Sequence, residues 1–294
     1  MFLREKSGRW SLEKIIAFVG ACLPALWLAW RAGSGDLNPA RPVNEAIHFA
    51  GYWAALFLVM SLAVSPARRL FAAPKLINMR RTLGVTAFCY AALHLSLYIL
   101  DQKFDLGKVA AEIALRFYLT IGFVALIGLI ALAVTSTDGM IRRLGSQRWN
   151  TLHNIVYPLA ILAMIHFLLQ TKIDITESIM VVGFLFWLLG YRLLHRYVGD
   201  VTYVWAVALT FIAAALTALA EAGWYGATTG VAAWRVFSVN FDWDMAPRPS
   251  HWVLIAGLGV TLASFLWSLI RQRPKASKTS SRARVGAIQV QSGS

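Results

Sequence analysis

The stretch FYLTIGFVALIGLIALAVT, Phe117–Thr135, carries no charged residue over its whole length. As an α-helix it measures about 28 Å, close to the thickness of a bilayer's hydrocarbon core. Such a segment has no polar face to turn toward water, so it reads as a membrane span. Seven further apolar stretches of near-spanning length flank it, at roughly 12–30, 47–65, 82–100, 150–170, 177–195, 201–221 and 251–270. None is interrupted by a run of charges, and each is bounded by charged, Gly or Pro residues. The whole chain agrees. Of 294 residues, 58% are hydrophobic and only 14% charged, with a mean hydropathy of +0.60, whereas a soluble domain carries about 25% charged residues. The expected fold is all-α, a polytopic transmembrane helix bundle of about eight spans.

A formal charge of +14 would suggest nucleic-acid binding in a soluble protein, but its distribution points to topology instead. With the N-terminus inside, 20 Lys and Arg fall on inner segments and 8 on outer loops, for net charges of +16 and −2. The positive-inside rule then places both termini in the cytoplasm, consistent with an even number of spans. The first span has a basic start, like a signal peptide. Its length, its end at Trp27 and Trp30 and its lack of a small-x-small site read as a retained helix. Trp10, Trp30, Trp149, Trp224, Trp252 and Trp267 sit at span ends, as an interfacial belt does. The polar, basic stretch 271–294 is expected to be disordered and is too short for a flavin or nicotinamide domain. Gly257-Leu-Gly259 lacks the third glycine of a nucleotide fingerprint. Cys22 and Cys89 lie in apolar runs and form no C-x-x-C pair, which excludes a disulfide framework, a zinc knuckle and covalent haem attachment.

Six histidines remain, and an ionisable group at membrane depth is costly enough to mark function. His94 stands about 18 Å into the third span and His166 about 24 Å into the fifth. Both spans run outward, so the two side chains end at similar heights in the outer half. Neutral imidazoles on facing helices can clamp one haem iron; a hydrogen-bonded core pair is the alternative. His153 shares the fifth span with His166, about 19.5 Å away and on a different face of a regular helix. The two cannot ligate one iron, although Pro158 between them can kink the helix. A second, inner site at His153 stays open, with His195 at about the same height. His48 and His251, at outer span ends, read as interfacial.

These histidines lie in longer patterns: NPARPVNEAIHFAGYWAALFLVMSLAVSP (Asn38–Pro66), RRTLGVTAFCYAALHLSLY (Arg80–Tyr98), YLTIG (Tyr118–Gly122), and TSTDGMIRRLG followed by RWNTLHNIVYPLAILAMIH within Ala133–His166. Together they resemble the MsrQ (YedZ) family, the haem-binding membrane subunit of the periplasmic methionine sulfoxide reductase system, within the wider ferric-reductase-like transmembrane group. The resemblance covers about residues 12–195. It implies a b-type haem protein of the bacterial inner membrane. Such a subunit relays electrons from the quinone pool or a cytoplasmic flavin reductase to a periplasmic molybdopterin-containing reductase subunit that repairs oxidised methionine. The resemblance also implies FMN as a cofactor, and it places the family's three haem-associated histidines on His94, His153 and His166. The chain then divides into a cytoplasmic N-terminus (1–11), a six-span haem-binding unit (12–195), two additional spans with an outer loop (196–270) and the basic tail (271–294). It departs from the family in those additional spans and at Phe117, where a proline is expected.

Arg80-Arg81 and Arg142-Arg143 flank the histidine-bearing spans on the inner side. They read as topology markers or as partners for haem propionates or a flavin phosphate, which the arginine fork suits. A stand-alone transmembrane ferric or quinone reductase with a soluble flavin partner is the alternative function. A transporter ranks last, because few spans carry acids or broken helices.

Overall fold

The computed structural model describes residues 10–171, 174–242, 244 and 246–272. The ends of the chain at 1–9 and 273–294, including nearly all of the basic tail, lie outside the described residues. Twelve α-helices are present among the described residues. They are α1 (Leu12–Ser34), α2 (Pro42–Leu70), α3 (Ile77–Asp101), α4 (Leu106–Leu115), α5 (Phe117–Val134), α6 (Asp138–Leu144), α7 (Ser146–His153), α8 (Val156–Gln170), α9 (Thr176–Tyr197), α10 (Tyr203–Thr229), α11 (Ala233–Val239) and α12 (Pro249–Gln272). A 3₁₀ turn, Pro74–Leu76, leads into α3. Eight helical stretches are long and apolar enough to cross a membrane: α1, α2, the turn with α3, α5, α7 with α8, α9, α10 and α12. The eight expected spans are therefore found.

Two of them differ from expectation in detail. The fifth is broken at Asn154–Ile155, between α7 and α8. Pro158 has no N–H to give the Asn154 carbonyl, which accepts instead from the Tyr157 N–H at 3.2 Å, a tighter turn that interrupts the helix. The seventh runs on to Thr229, where Gly230 closes it in the left-handed conformation (φ 71°). This longer helix buries Glu221, which is 1% exposed.

α2 and α3 form the most extensive pair, and α5 packs on α8. α2 also touches α8 and α9, so it stands at the centre of the bundle, with Leu62 wholly buried. α10 and α12 pack on α9 and on each other. Backbone approach there is close: a methyl on Gly190 would meet Leu209, and one on Gly257 would meet Thr210. Small residues at helix contacts replace hydrophobic driving force in lipid by tight packing. The apolar side chains left outside, such as Ile16, Leu26, Ile127, Phe211 and Leu262, form the face that lipid would cover.

The bundle has a basic end and a far end. At the basic end Arg81 pairs with Asp138 (2.6 Å), joining α3 to the start of α6. There Arg271, near the end of α12, donates to the Ala72 carbonyl (2.9 Å) between α2 and the 3₁₀ turn. Arg192 of α9 donates to Leu62 O (2.6 Å) and to the Tyr157 hydroxyl (3.2 Å), tying three helices together. At the far end Arg31 pairs with Glu45 (2.6 Å), joining α1 to α2.

Candidate functional site

α3 and α8 bring His94 and His166 together, edge to face. Their ring centres are 6.2 Å apart and their planes cross at 84°. Each Nδ1 lies 2.8 Å from a backbone carbonyl oxygen, that of Ile47 on α2 for His94 and that of Tyr118 on α5 for His166. A carbonyl oxygen only accepts, so both Nδ1 atoms carry the proton. Both Nε2 atoms are left with the lone pair that binds metal. Fixing a ligand imidazole through its other nitrogen also sets the ring orientation and raises its basicity.

The same construction occurs twice. Four residues after each accepting carbonyl stands a glycine, Gly51 after Ile47 and Gly122 after Tyr118. A methyl on Gly51 would lie 2.9 Å from His94 Nδ1, and one on Gly122 would lie 2.6 Å from His166 Nδ1 and Cε1. Only glycine lets the imidazole rest on the neighbouring helix and reach its carbonyl.

A metal–imidazole bond is about 2.0–2.1 Å and the nitrogen stands about 1.1 Å from the ring centre, so two imidazoles meeting one ion from opposite sides would sit about 6.3 Å apart. The observed 6.2 Å fits that arrangement. No cluster of three or more His, Cys, Asp or Glu able to hold a metal exists among the described residues. A bare ion would thus have two protein ligands, whereas a structural zinc site takes four. The donor set suits a metal that brings its own equatorial ligands, as haem iron does. A cavity of about 230 Å³ surrounds the pair, and the short side chains of Ala54, Ala55, Ala91, Ala125 and Ala163 help to line it. The residues present fit a haem.

The cavity adjoins a larger cleft of about 1140 Å³ at the far end. His48, Tyr52, Tyr98, Phe167 and Gln170 line both, and Arg41, Lys108 and Arg116 line the cleft alone. His48, read from sequence as interfacial, therefore stands exposed at the mouth of the cavity. Asp174 borders the same cleft; the hydroxyl and the N–H of Thr176 hold its carboxyl below the ordinary aspartate value.

His153 is elsewhere. Its ring stacks on Trp149 at 3.8 Å, and its Nε2 lies 3.1 Å from the Thr135 hydroxyl. That hydroxyl gives its proton to Ala131 O (2.7 Å), so His153 Nε2–H is the donor to it. Trp149 donates to Thr135 O (2.9 Å), which makes it part of this knot. His195 does not join His153: its Nδ1 is bound to Gly199 O at 2.8 Å. His251, in the first turn of α12, is 3% exposed, accepting from the Arg248 N–H and donating to Asn240 O. It belongs to a buried polar knot with Glu221, Asn240, Arg248 and Ser250 that joins α10, α11 and α12. The inner arginine pairs do not border the His94–His166 cavity, which opens at the opposite end, and Arg81 is engaged by Asp138. They are therefore not placed to meet a group held in that cavity.

Depth in the spans found the histidine pair; the residues it missed are Ile47, Gly51, Tyr118 and Gly122. Both glycines lie inside stretches quoted above, but a lone glycine in an apolar span carries no signal of what faces it.

The family described as ferric reductase like transmembrane component matches residues 50–164. Gly51, His94, Gly122 and His153 lie inside that range and His166 two residues beyond it. The protein-methionine-sulfoxide reductase heme-binding subunit MsrQ of Rhodospirillum rubrum is 45% identical over 183 residues, which is 62% of this chain and 88% of that protein. This chain belongs to the MsrQ family. The MsrQ of Agrobacterium fabrum is 43% identical over 192 residues, 65% of this chain and 86% of the relative. That of Xanthomonas euvesicatoria is 42% identical over 167 residues, 56% of this chain and 76% of the relative. Each of these MsrQ matches leaves more than a third of this chain uncovered. No solved structure matches it.

Proposed function

We propose that this protein is the b-type haem membrane subunit of a methionine sulfoxide reductase system, with His94 and His166 as the residues that would hold the haem iron. The observation that carries the reading is the pair of imidazoles, each locked by a backbone carbonyl with its Nε2 turned free, at the spacing one metal ion requires. The names of the relatives support both the haem and the system.

When bound, the haem supplies a one-electron couple. The Ile47 and Tyr118 carbonyls hold the two imidazoles in the ligating tautomer. The apolar lining keeps water from the site, and the aromatic rings of Tyr52, Tyr98 and Phe167 stand between it and the far-end cleft. With the basic end in the cytoplasm, as the positive-inside rule directs, that cleft faces the periplasm. There it meets the molybdopterin-containing reductase subunit that the resemblance implies. In the same reading electrons enter from the quinone pool or a cytoplasmic flavin reductase, with FMN as a further cofactor. His153 serves a second, inner site only if it releases Thr135 or binds through Nδ1.

The test is a reduced-minus-oxidised spectrum of membranes expressing the protein. A b-type spectrum is expected, lost in His94→Ala and in His166→Ala. Colourless protein after growth with ample iron and haem precursors refutes the reading. The ferric reductase match favours one alternative, a stand-alone ferric or quinone reductase with a soluble flavin partner. Iron(III) reduction by the purified protein and a flavin donor, without a periplasmic partner, would select it.

A further inference from the structure

A second cleft, of about 640 Å³, opens at the basic end. It lies where Arg68 and Arg69 at the end of α2 meet Tyr191 and His195 of α9 and Thr202 and Tyr203 at the start of α10. Among the described residues, neither the Arg68 nor the Arg69 guanidinium has a hydrogen-bond or ion-pair partner. Tyr191 is 2% exposed, and its hydroxyl likewise has no partner among the described residues. Its ring is stacked on Trp187 (centres 5.6 Å apart), which holds it where it is. The Tyr191 hydroxyl opens on the cleft beside the half-buried Arg68 and the exposed Arg69, and an acceptor with several oxygens would bond all three groups together.

The place and the charge narrow the ligand. Spans end here, at the level where lipid headgroups lie, and Leu70, Pro74 and Val201 add an apolar wall. Asp200 lines the same cleft and offsets one of the two arginines. The remaining charge suits a phosphate diester, which carries one negative charge, better than a monoester, which carries nearly two. Basic pockets between spans on the cytoplasmic side bind anionic headgroups. We propose that this cleft binds the phosphate of an anionic phospholipid, held by Arg68, Arg69 and the Tyr191 hydroxyl. Thr202 and Tyr203 come from α10, so the site depends on a helix beyond the six-span unit. It is independent of the haem reading.

The experiment is native mass spectrometry of the full chain released from bilayers of phosphatidylglycerol and phosphatidylcholine. The unaltered protein is expected to keep one phosphatidylglycerol in preference to phosphatidylcholine. Arg68→Gln with Arg69→Gln should lower retention by about tenfold or more, as loss of charge-assisted hydrogen bonds does. Tyr191→Phe, which removes one oxygen and keeps the ring, should lower it several-fold with helix content unchanged. Arg142→Gln with Arg143→Gln removes the same charge from exposed positions at the same end and should keep the lipid. Equal retention in the Arg68/Arg69 variant, or equal loss in the Arg142/Arg143 variant, overturns the proposal. Stabilisation by millimolar inorganic phosphate as large as that by phosphatidylglycerol, without retained lipid, also overturns the lipid assignment.

Discussion

Gly122→Ala adds one methyl group where the structure leaves room for none. The new carbon would lie 2.6 Å from Nδ1 and Cε1 of His166 and 2.9 Å from its Cγ. Ordinary contact begins near 3.4 Å, so the imidazole must retreat by nearly an ångström. That exceeds the roughly 0.2 Å tolerance of a metal–ligand distance, and it stretches the 2.8 Å bond from Nδ1–H to the Tyr118 carbonyl. Overpacking a well-filled site costs about 1–3 kcal/mol, which corresponds to haem affinity about 5- to 150-fold weaker. The helix itself gains, because alanine is favoured over glycine by about 1 kcal/mol in a helix interior. The variant should therefore insert and fold while losing haem. Gly84→Ala in α3, where an added methyl meets nothing within 4 Å, is the control and should keep its haem. The assay is haem content per chain, followed by titration of haem into haem-depleted protein. Full haem content and an unaltered spectrum in Gly122→Ala would show that His166 is not held against α5, and the construction of the site would fail with it.

Gly51→Ala should weaken haem binding less than Gly122→Ala, since its nearest contact is 2.9 Å rather than 2.6 Å; the reverse order in the same titration counts against the paired design. Thr135→Val removes the acceptor of His153 Nε2–H, so thermal stability should fall by about 1 kcal/mol. The spectrum of the His94–His166 site should stay as it was, and a change as large as loss of a ligand would contradict the separation of the two. Glu221→Gln leaves Arg248 without its carboxylate partner and should cost about 1–3 kcal/mol in thermal unfolding, with haem content unchanged. Phe117→Pro should be tolerated within about 0.5 kcal/mol. Phe117 is the first residue of α5 and is 75% exposed, and Arg116 before it is already extended (φ −104°, ψ 104°). A large loss of stability there would mean that the entry to α5 is built differently.

The same contrast runs through the fold. The apolar length of 117–135, the basic residues between spans and the depth of His94 and His166 are properties of single segments. Each follows from about twenty neighbouring residues and the thickness of a bilayer, so eight spans and one inward-facing histidine pair could be read directly. The break at Asn154–Ile155 was half legible: Pro158 marks the place, but which carbonyl loses its partner shows only in the folded turn. His153 and His251 were harder. An isolated histidine reads the same whether it meets Thr135, a buried polar knot or lipid headgroups, because its partners come from other helices.

By itself, then, the sequence determined the number of candidate spans, the basic bias of the segments between them and the candidate ligands, since hydrophobic length and charge act locally. Tertiary structure alone decided the tautomer of each imidazole, its carbonyl partner 47 or 48 residues away and the two glycines that make the approach possible. It also decided what His153 meets, the Thr135 hydroxyl and the Trp149 ring. These depend on how helices distant in the chain turn and press against one another, and that rotation is set by the packing of every side chain between them.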